Sequence, residues 1–303
     1  MPIIEANNIK LAYDIQGPAD GEPLLLIAGL GMQLTSWPDA FCRELAAQGF
    51  RVIRFDNRDC GQSSRMEQYG KPNLHLAFFK TMFHMPLLSG YTLNDMARDA
   101  VGLLDALGIE RAHVAGASMG GMIAQIMAAR HPERVITLTS IMSTTGRPGL
   151  PGPTMAAANA MFSRPANPRD PESVIAHYVR LFRVIGSPAY PTPEAELVRR
   201  VRDNVRRGAS FSGTSRQVMA VASTGSLVPQ LRTIRLPTLV IHGSDDPLVP
   251  VACGRDTART IPGAVMHEVP GMGHDIPPQL EVELARLIAA HCRREWPEQA
   301  QRA

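Results

Sequence analysis

Aromatic residues and cysteines are scarce in this sequence, and charge of neither sign prevails. Aromatic residues make up 5% of the 303 residues, there are four cysteines, and the net charge is +3. The cysteines show neither metal-ligand nor redox spacing, so the sequence predicts free, reduced thiols. Because basic and acidic residues are interleaved, no surface for nucleic acid or an anionic membrane is expected.

Long apolar runs are missing as well. No stretch of about 18 apolar residues occurs, so no membrane-spanning helix is expected. The first residues lack the basic and apolar regions of a secretory signal, which favours a cytoplasmic protein. Hydrophobic residues at 45% and charged residues at 19% are typical of a globular protein with a large core.

Apolar runs of strand length alternate with helical patterns over most of the chain. Pro23–Ala28 is continuously apolar, which is typical of a strand covered on both faces. The other predicted strands are Ile9–Ile15, Arg51–Asp56, Arg111–Gly116, Val135–Ile141, Pro237–His242 and Ala264–Val269. Helices are predicted between them, at Trp37–Gln48, from Thr92 to Gly108, and at Met119–Arg130. This alternation predicts an α/β fold, with helices on both faces of a mostly parallel sheet.

Two segments interrupt the alternation. Residues 144–225 begin with a Pro/Gly-rich hinge, Gly146–Pro153, and continue with helical patterns that contain no clear strand. They predict an inserted helical cap, so that residues 1–143 and 226–303 would form the core domain. The second segment, Met66–Gly90, is long and rich in Met, Phe and Leu, and we expect it to pack over the sheet edge or the entrance of a site.

The segment Gly116–Gly120 reads G-A-S-M-G and lies between a predicted strand and a predicted helix. That context is the one in which a G-x-S-x-G motif presents a nucleophilic serine on a sharp turn. The glycines let the strand and the helix approach closely, and the turn holds the hydroxyl of Ser118 above the sheet. The alternative is an ordinary strand-to-helix connection, which this context makes the weaker interpretation.

A nucleophilic serine needs a base, and the base needs a carboxylate that orients it. His274 follows the last predicted strand and is the predicted base, with a surface loop histidine as the alternative. Asp245 and Asp246 both follow the preceding strand, and spacing alone lets either reach the imidazole. We favour Asp246 as the acid, which leaves Asp245 as a loop-capping carboxylate.

Acyl transfer also needs backbone N–H groups around the oxyanion of the intermediate. One predicted donor is the amide of Met119, directly after the serine. The other is expected in the loop after Ala28, and we choose the Leu30 amide because it follows the glycine of the turn. An apolar pocket is expected beside these donors, since Met-rich surfaces adapt to irregular ligands. The predicted pocket residues are Gly29, Phe79, Met82 and Phe83.

Four motifs resemble those of the serine α/β-hydrolases and span nearly the whole chain. They are Phe55–Ser63, Gly116–Gly121, His242–Pro250 and Gly271–His274. Among the subgroups, the chain is most similar to bacterial carboxylesterases and aclacinomycin methylesterases, through Ile53–Asp59 and Trp37–Pro38.

This resemblance implies the α/β-hydrolase fold, with a mostly parallel eight-stranded sheet, helices on both faces and an inserted helical cap. It also implies a triad of Ser118, Asp246 and His274, because the family's acid lies four residues before the last proline of its motif, here Pro250. The implied activity is the cleavage of a carboxylic ester without a cofactor.

Several other functions would use the same residues. Perhydrolases, lactonases, carbon–carbon hydrolases and acyltransferases share this triad, whereas dehalogenases and epoxide hydrolases of the fold need an aspartate at position 118. A non-catalytic ligand-binding protein of this fold often lacks a triad member, and here all three are present. No metal or dinucleotide motif occurs. The expected partner is a small to medium apolar ester rather than nucleic acid, and a homodimer stays open.

Overall fold

The computed structural model describes residues 1–74, 85 and 87–295. Its strands are β1 Ile3–Ala6, β2 Ile9–Gln16, β3 Glu22–Ile27, β4 Phe50–Phe55, β5 Ala112–Ala117, β6 Val135–Ile141, β7 Thr238–Gly243 and β8 Val265–Val269. They form one eight-stranded sheet in the order β1-β2-β4-β3-β5-β6-β7-β8. The pairs β1–β2 and β2–β4 are antiparallel, and the other five pairs, from β4 to β8 across the sheet, are all parallel. The predicted mostly parallel sheet is therefore confirmed.

Helices cover both faces of the sheet. They are α1 Asp39–Ala47, α2 Leu93–Ala106, α3 Met119–Arg130, α4 Met155–Phe162, α5 Pro171–Ile185, α6 Glu194–Gly208, α7 Phe211–Thr224, α8 Val228–Leu231, α9 Val251–Thr260 and α10 Glu281–Cys292. In the part of the chain that is described, none of these helices has the length and apolar character needed to cross a bilayer.

The central strand β3 shows how the two faces are divided. Leu25 and Ile27 pack into a core that includes α2 and α3, whereas Leu24 and Leu26 pack into a second core with α1 and α10. Successive side chains of a strand point to opposite faces, so a continuous apolar run is what a doubly covered strand requires. The apolar run read at this position therefore predicts the burial correctly.

Helix boundaries follow local signals, with one difference. Thr92 caps α2, its backbone N–H donating to the Asp95 carboxylate at 2.8 Å, as the predicted start of that helix implies. The helix predicted from Trp37 begins only at Asp39, because Pro38 occupies the cap position in an extended conformation. Proline restrains the residue before it to extended backbone, which explains the later start.

Residues 144–225 contain the four helices α4–α7 and no strand. Two small apolar clusters join α4, α5 and α6, one around Leu181 and one around Val201. Buried ion pairs join them to the loop after β4, where Arg207 contacts Asp56 at 2.6 Å and Arg216 contacts Asp59 at 2.5 Å. Breaking such a pair would leave a buried charge without compensation, so α6 and α7 are firmly docked.

All four cysteines are free and buried. Burial disfavours the thiolate and raises the pKa of Cys42, Cys60 and Cys292 to about 12. It also raises the pKa of Cys253. The free thiols predicted from the spacing are therefore present and chemically inert in the folded chain.

We expect the folded protein to react negligibly with 5,5′-dithiobis(2-nitrobenzoic acid) at pH 8. A pKa of about 12 leaves a thiolate fraction on the order of 10⁻⁴ at that pH. After unfolding in guanidinium chloride, all four thiols should react. Rapid release of the chromophore from the native protein would contradict this burial, and Cys60→Ser would then test whether Cys60 is responsible.

Candidate active site

Ser118 stands at the turn between β5 and α3, with φ 56° and ψ −122°. Its N–H donates to the Ile141 carbonyl of β6 at 2.9 Å, and its carbonyl accepts from the Ser143 hydroxyl at 2.7 Å. A side chain at Gly116 would lie 2.1 Å from the Gly120 carbonyl oxygen. Only glycine permits that approach, and the strained turn it allows directs the Ser118 hydroxyl away from the sheet.

His274 lies beside this serine, on the loop after β8. Its Nε2 is 3.0 Å from Ser118 Oγ, and its Nδ1 is 2.7 Å from Asp246 Oδ2. Its backbone N–H donates to the Ile185 carbonyl at the end of α5, at 2.7 Å. The two ring nitrogens thus face a hydroxyl and a carboxylate, which is the geometry in which an imidazole can take a proton from serine.

The neighbouring residues Asp245 and Asp246 have different surroundings in the structure. The Asp246 side chain is fully buried, and its Oδ1 accepts from the N–H groups of Leu248 and Val249 at 2.9 and 2.8 Å. Asp245 instead accepts from the Ser244 hydroxyl at 2.6 Å, outside the contact with His274. Burial by itself would raise the pKa of Asp246, but the charge of His274 and the hydrogen bonds around the carboxylate hold that pKa below its ordinary value.

His242 is a second histidine at this carboxylate, and the sequence predicted no role in the site for its side chain. Its Nε2 lies 2.7 Å from the Val249 carbonyl oxygen and 3.5 Å from Asp246 Oδ2. Because a carbonyl can only accept, Nε2 carries the proton and donates to the Val249 carbonyl, with the acid further away. Its position four residues before Asp246, at the end of a strand, was the available signal.

The loop after β3 forms a turn against Ser118. Met32 N–H donates to the Gly29 carbonyl at 3.1 Å, and a side chain at Gly29 would lie 3.2 Å from Ser118 Cβ. In the described part of the chain, the amides of Leu30 and Met119 have no protein acceptor. Both residues line the same cavity as Ser118.

A cavity of about 1260 Å³ opens above the serine, between the sheet and helices α4–α7. Its wall includes the predicted pocket residue Gly29 and several methionine and aromatic side chains. Among them are Met32, Met122, Met142, Met161, Tyr178 and Phe182. The predicted pocket residues Phe79, Met82 and Phe83 lie outside the described residues. Among the residues that are described, no group of His, Cys, Asp or Glu could hold a metal ion.

We expect Asp246→Asn to slow covalent labelling of Ser118 by a fluorophosphonate about 10³–10⁴-fold. The amide cannot stabilise the imidazolium that forms when His274 takes the serine proton. Asp245→Asn is the matched control, since the Asp245 carboxylate accepts from the Ser244 hydroxyl whereas Asp246 contacts His274, and the labelling rate of this variant should stay close to that of the unmodified chain. Equal rates in the two variants would remove Asp246 from the role its geometry indicates. Intact-mass spectrometry over time measures the labelling rates of both variants.

Known proteins resemble this chain in sequence over most of its length. The sequence profile of the alpha/beta hydrolase fold family matches residues 22–278. Rhodomycin D methylesterase DauP of Streptomyces sp. (strain C5) is 32% identical, over 92% of this chain and 93% of its own length. The putative carbamate hydrolase RutD of Variovorax paradoxus (strain S110) is 30% identical, over 88% of this chain and 90% of its own length.

A solved structure also resembles the chain. The enol-lactonase from Burkholderia xenovorans LB400 superimposes with a TM-score of 0.74 at 24% identity, covering 96% of this chain and 100% of its own. At this identity the likeness concerns the fold alone. The relatives include ester hydrolases and other hydrolases, so the comparisons support a hydrolase. The resemblance inferred from the motifs is confirmed, and the chain belongs to the α/β-hydrolase family.

Proposed function

We propose that this protein is a serine carboxylesterase in which Ser118, His274 and Asp246 form the catalytic triad. The observation that carries the proposal is the continuous chain of hydrogen bonds from Ser118 Oγ through both His274 nitrogens to Asp246, at 3.0 and 2.7 Å. This series of hydrogen bonds ends at Ser118, which lines a cavity together with Leu30 and Met119. The amides of these two residues have no protein acceptor among the described residues. Nucleophile, base, orienting acid and oxyanion donors are the parts that acyl transfer requires.

The first half of the reaction forms an acyl-enzyme. Ser118 Oγ attacks the ester carbonyl carbon while its proton passes to His274 Nε2. The Leu30 and Met119 amides donate to the developing oxyanion, and the Asp246 carboxylate stabilises the imidazolium. The bond from carbon to the alkoxy oxygen then breaks, and the alcohol leaves with the proton from His274.

The second half releases the acid. A water molecule gives its proton to His274 Nε2 and attacks the acyl carbon, and the same two amides again stabilise the oxyanion. Collapse of this intermediate breaks the bond to Ser118 Oγ, which recovers its proton from His274. The original Ser118 proton leaves with the alcohol and water supplies its replacement, so Ser118 and His274 end the cycle in their starting protonation states.

Residues 144–225 serve in this proposal as a cap on a core made of residues 1–143 and 226–303. Two features support the assignment: the segment is wholly helical in its regular structure, and side chains from α4–α7 line the cavity above Ser118. An insertion that closes a site over the carboxyl ends of parallel strands excludes water and shapes the substrate pocket.

The cavity favours a bulkier substrate than the small to medium apolar esters expected from the sequence. Its volume of about 1260 Å³ exceeds the roughly 300–1,000 Å³ of ordinary small-molecule sites. The Streptomyces relative, which is 32% identical, is named a rhodomycin D methylesterase, and a methylesterase releases a small alcohol. We propose esters that combine a bulky, largely apolar acyl part with a small alcohol.

Purified protein should hydrolyse p-nitrophenyl esters, and Ser118→Ala should lower kcat by at least about 10³-fold because the nucleophile is lost. Ser215→Ala is the matched control, since its exposed hydroxyl donates only to the Phe211 carbonyl of its own helix. Folded wild-type protein that cleaves no ester would refute the esterase proposal. Lactones and carbamates, tested with the same pair of variants, would then identify the bond that is cleaved.

Ala158→Phe should reduce kcat/KM for methyl esters of bulky aromatic acids at least about 10-fold, because Ala158 lines the cavity and the added ring occupies acyl space. Hydrolysis of an acetate ester should change less than about threefold. Ala156→Phe, on the exposed side of the same helix, should leave both rates unchanged. If Ala158→Phe slowed acetate and bulky esters equally, the cavity would not be the acyl site.

A further inference from the structure

The turn that carries the Leu30 amide is held in place by side chains from outside its own loop. Asn57 Nδ2 donates to the Ala28 carbonyl at 3.0 Å, and Asp56 Oδ1 accepts from Leu34 N–H at 2.8 Å. A third contact comes from α7, where Gln217 Oε1 accepts from Gly31 N–H at 2.8 Å. The first two belong to the core, whereas Gln217 belongs to the proposed cap.

The surroundings of Gln217 hold its side-chain amide in one orientation. Its side chain is completely buried, and its Nε2 donates to the Arg58 carbonyl at 2.8 Å. The Gly31 N–H can only donate and the Arg58 carbonyl can only accept, so the two partners fix which end of the amide is oxygen. Both ends of the Gln217 side-chain amide are thus hydrogen-bonded, which fixes its orientation.

The contact acts on the part of the turn whose orientation is least fixed by the chain itself. Gly29–Met32 is a four-residue turn in which Gly31 has φ +66°, while Leu30 keeps a negative φ. These are the features of a type II turn, which differs from type I by rotation of its central peptide. That peptide joins Leu30 to Gly31, and its N–H is the group that Gln217 accepts.

We propose that Gln217 is a positioning residue for the oxyanion hole. This proposal rests on the proposed function, in which the Leu30 amide binds the oxyanion. Gln217 anchors the central peptide of the turn to α7 and thereby holds the turn, with the Leu30 N–H, in its position beside Ser118. Without this acceptor the turn loses its hydrogen bond to α7, so the turn as a whole can move and the Leu30 N–H no longer points at the position of the oxyanion.

Gln217 is not required to dock α7 on the core, because other contacts do so. Arg216 pairs with the buried Asp59, and the Thr224 hydroxyl oxygen accepts from Leu93 N–H at 3.1 Å. Only Gln217 connects this helix to the oxyanion turn by a hydrogen bond, among the residues described. A docking role and a positioning role can therefore be separated by experiment.

The test compares Gln217→Met with Thr224→Val in the full chain. Gln217→Met keeps the side-chain length and removes the acceptor, whereas Thr224→Val removes a hydrogen bond from the same helix to a different part of the core. Gln217→Met should lower kcat about 10–100-fold with little change in KM, since a misdirected donor is a partial loss of the 10²–10³ that one oxyanion donor contributes. Thr224→Val should leave kcat unchanged.

Two further readouts distinguish positioning from stability. Affinity for a phenylboronic acid, whose adduct on Ser118 places an oxygen among the oxyanion donors, should fall by the same factor as kcat in Gln217→Met. Amide hydrogen exchange at Gly31 should accelerate in that variant, and this measurement needs no substrate. Wild-type protein that cleaves no ester would refute the esterase proposal and still leave the effect on Gly31 to be measured.

Several results would overturn the role of Gln217. Unchanged kcat and boronate affinity in Gln217→Met would do so, and so would an equal loss in Thr224→Val. Gln217→Leu and Gln217→Ala are prepared alongside, so that any acceptor-free variant that folds can decide. If none of the three folds while Thr224→Val does, Gln217 serves stability rather than positioning.

Discussion

The structure depends on the close approach of β3, β5 and α3 around Ser118. A side chain at Gly120 would lie 2.0 Å from the Ile27 carbonyl oxygen, so helix and strand backbones touch directly at this point. The contact forces Ser118 into a left-handed conformation with φ 56° and sets the first turn of α3 toward the end of β3. The amide of Met119 and the turn after β3 consequently face the same space.

The charge of Asp246 is set by the groups that bury it. Asp246 has no exposed side-chain surface, so its charge depends on neighbours rather than on water. Three donors contact it, His274 and the amides of Leu248 and Val249, and His242 Nε2 lies further away at 3.5 Å. They hold its pKa low enough for the carboxylate to remain ionised at neutral pH, which is the state that an imidazolium at His274 requires. A carboxylate held this firmly also fixes the ring that it contacts.

The parts of the site that the sequence predicted are those defined by short-range signals. Ser118 lies within a five-residue motif, and His274 and Asp246 each follow a strand whose apolar run can be recognised. Strands of a parallel sheet end at one edge, which brings such residues together without further information. The choice of Asp246 over Asp245 rested on preference and resemblance, and the described geometry favours the same residue.

What the sequence did not predict involves residues far apart in the chain. Gln217 and Gly31 are separated by 186 positions, and nothing in a helical pattern identifies the loop that the helix will meet. The same is true of Arg216 and Asp59, and of the cavity volume, which depends on how the helices α4–α7 pack above the sheet. A histidine such as His242 reads as a core residue because burial and contact with a carboxylate leave the same sequence signal.

Residues 144–225 do more than cover the site. They contact the loop of the proposed base, His274, and the turn of the proposed oxyanion donor, Leu30. The end of α5 accepts from His274 N–H, the Ser187 hydroxyl accepts from Gly273 N–H at 2.8 Å, and α7 reaches the turn of Leu30. The proposed base and the proposed Leu30 donor therefore both contact a segment that also lines the cavity. Because hydrogen bonds weaken steeply with misalignment, a displacement of this segment that admits a larger ligand also disturbs the groups around Ser118. Cavity shape and the alignment of the site are thus coupled through the same four helices.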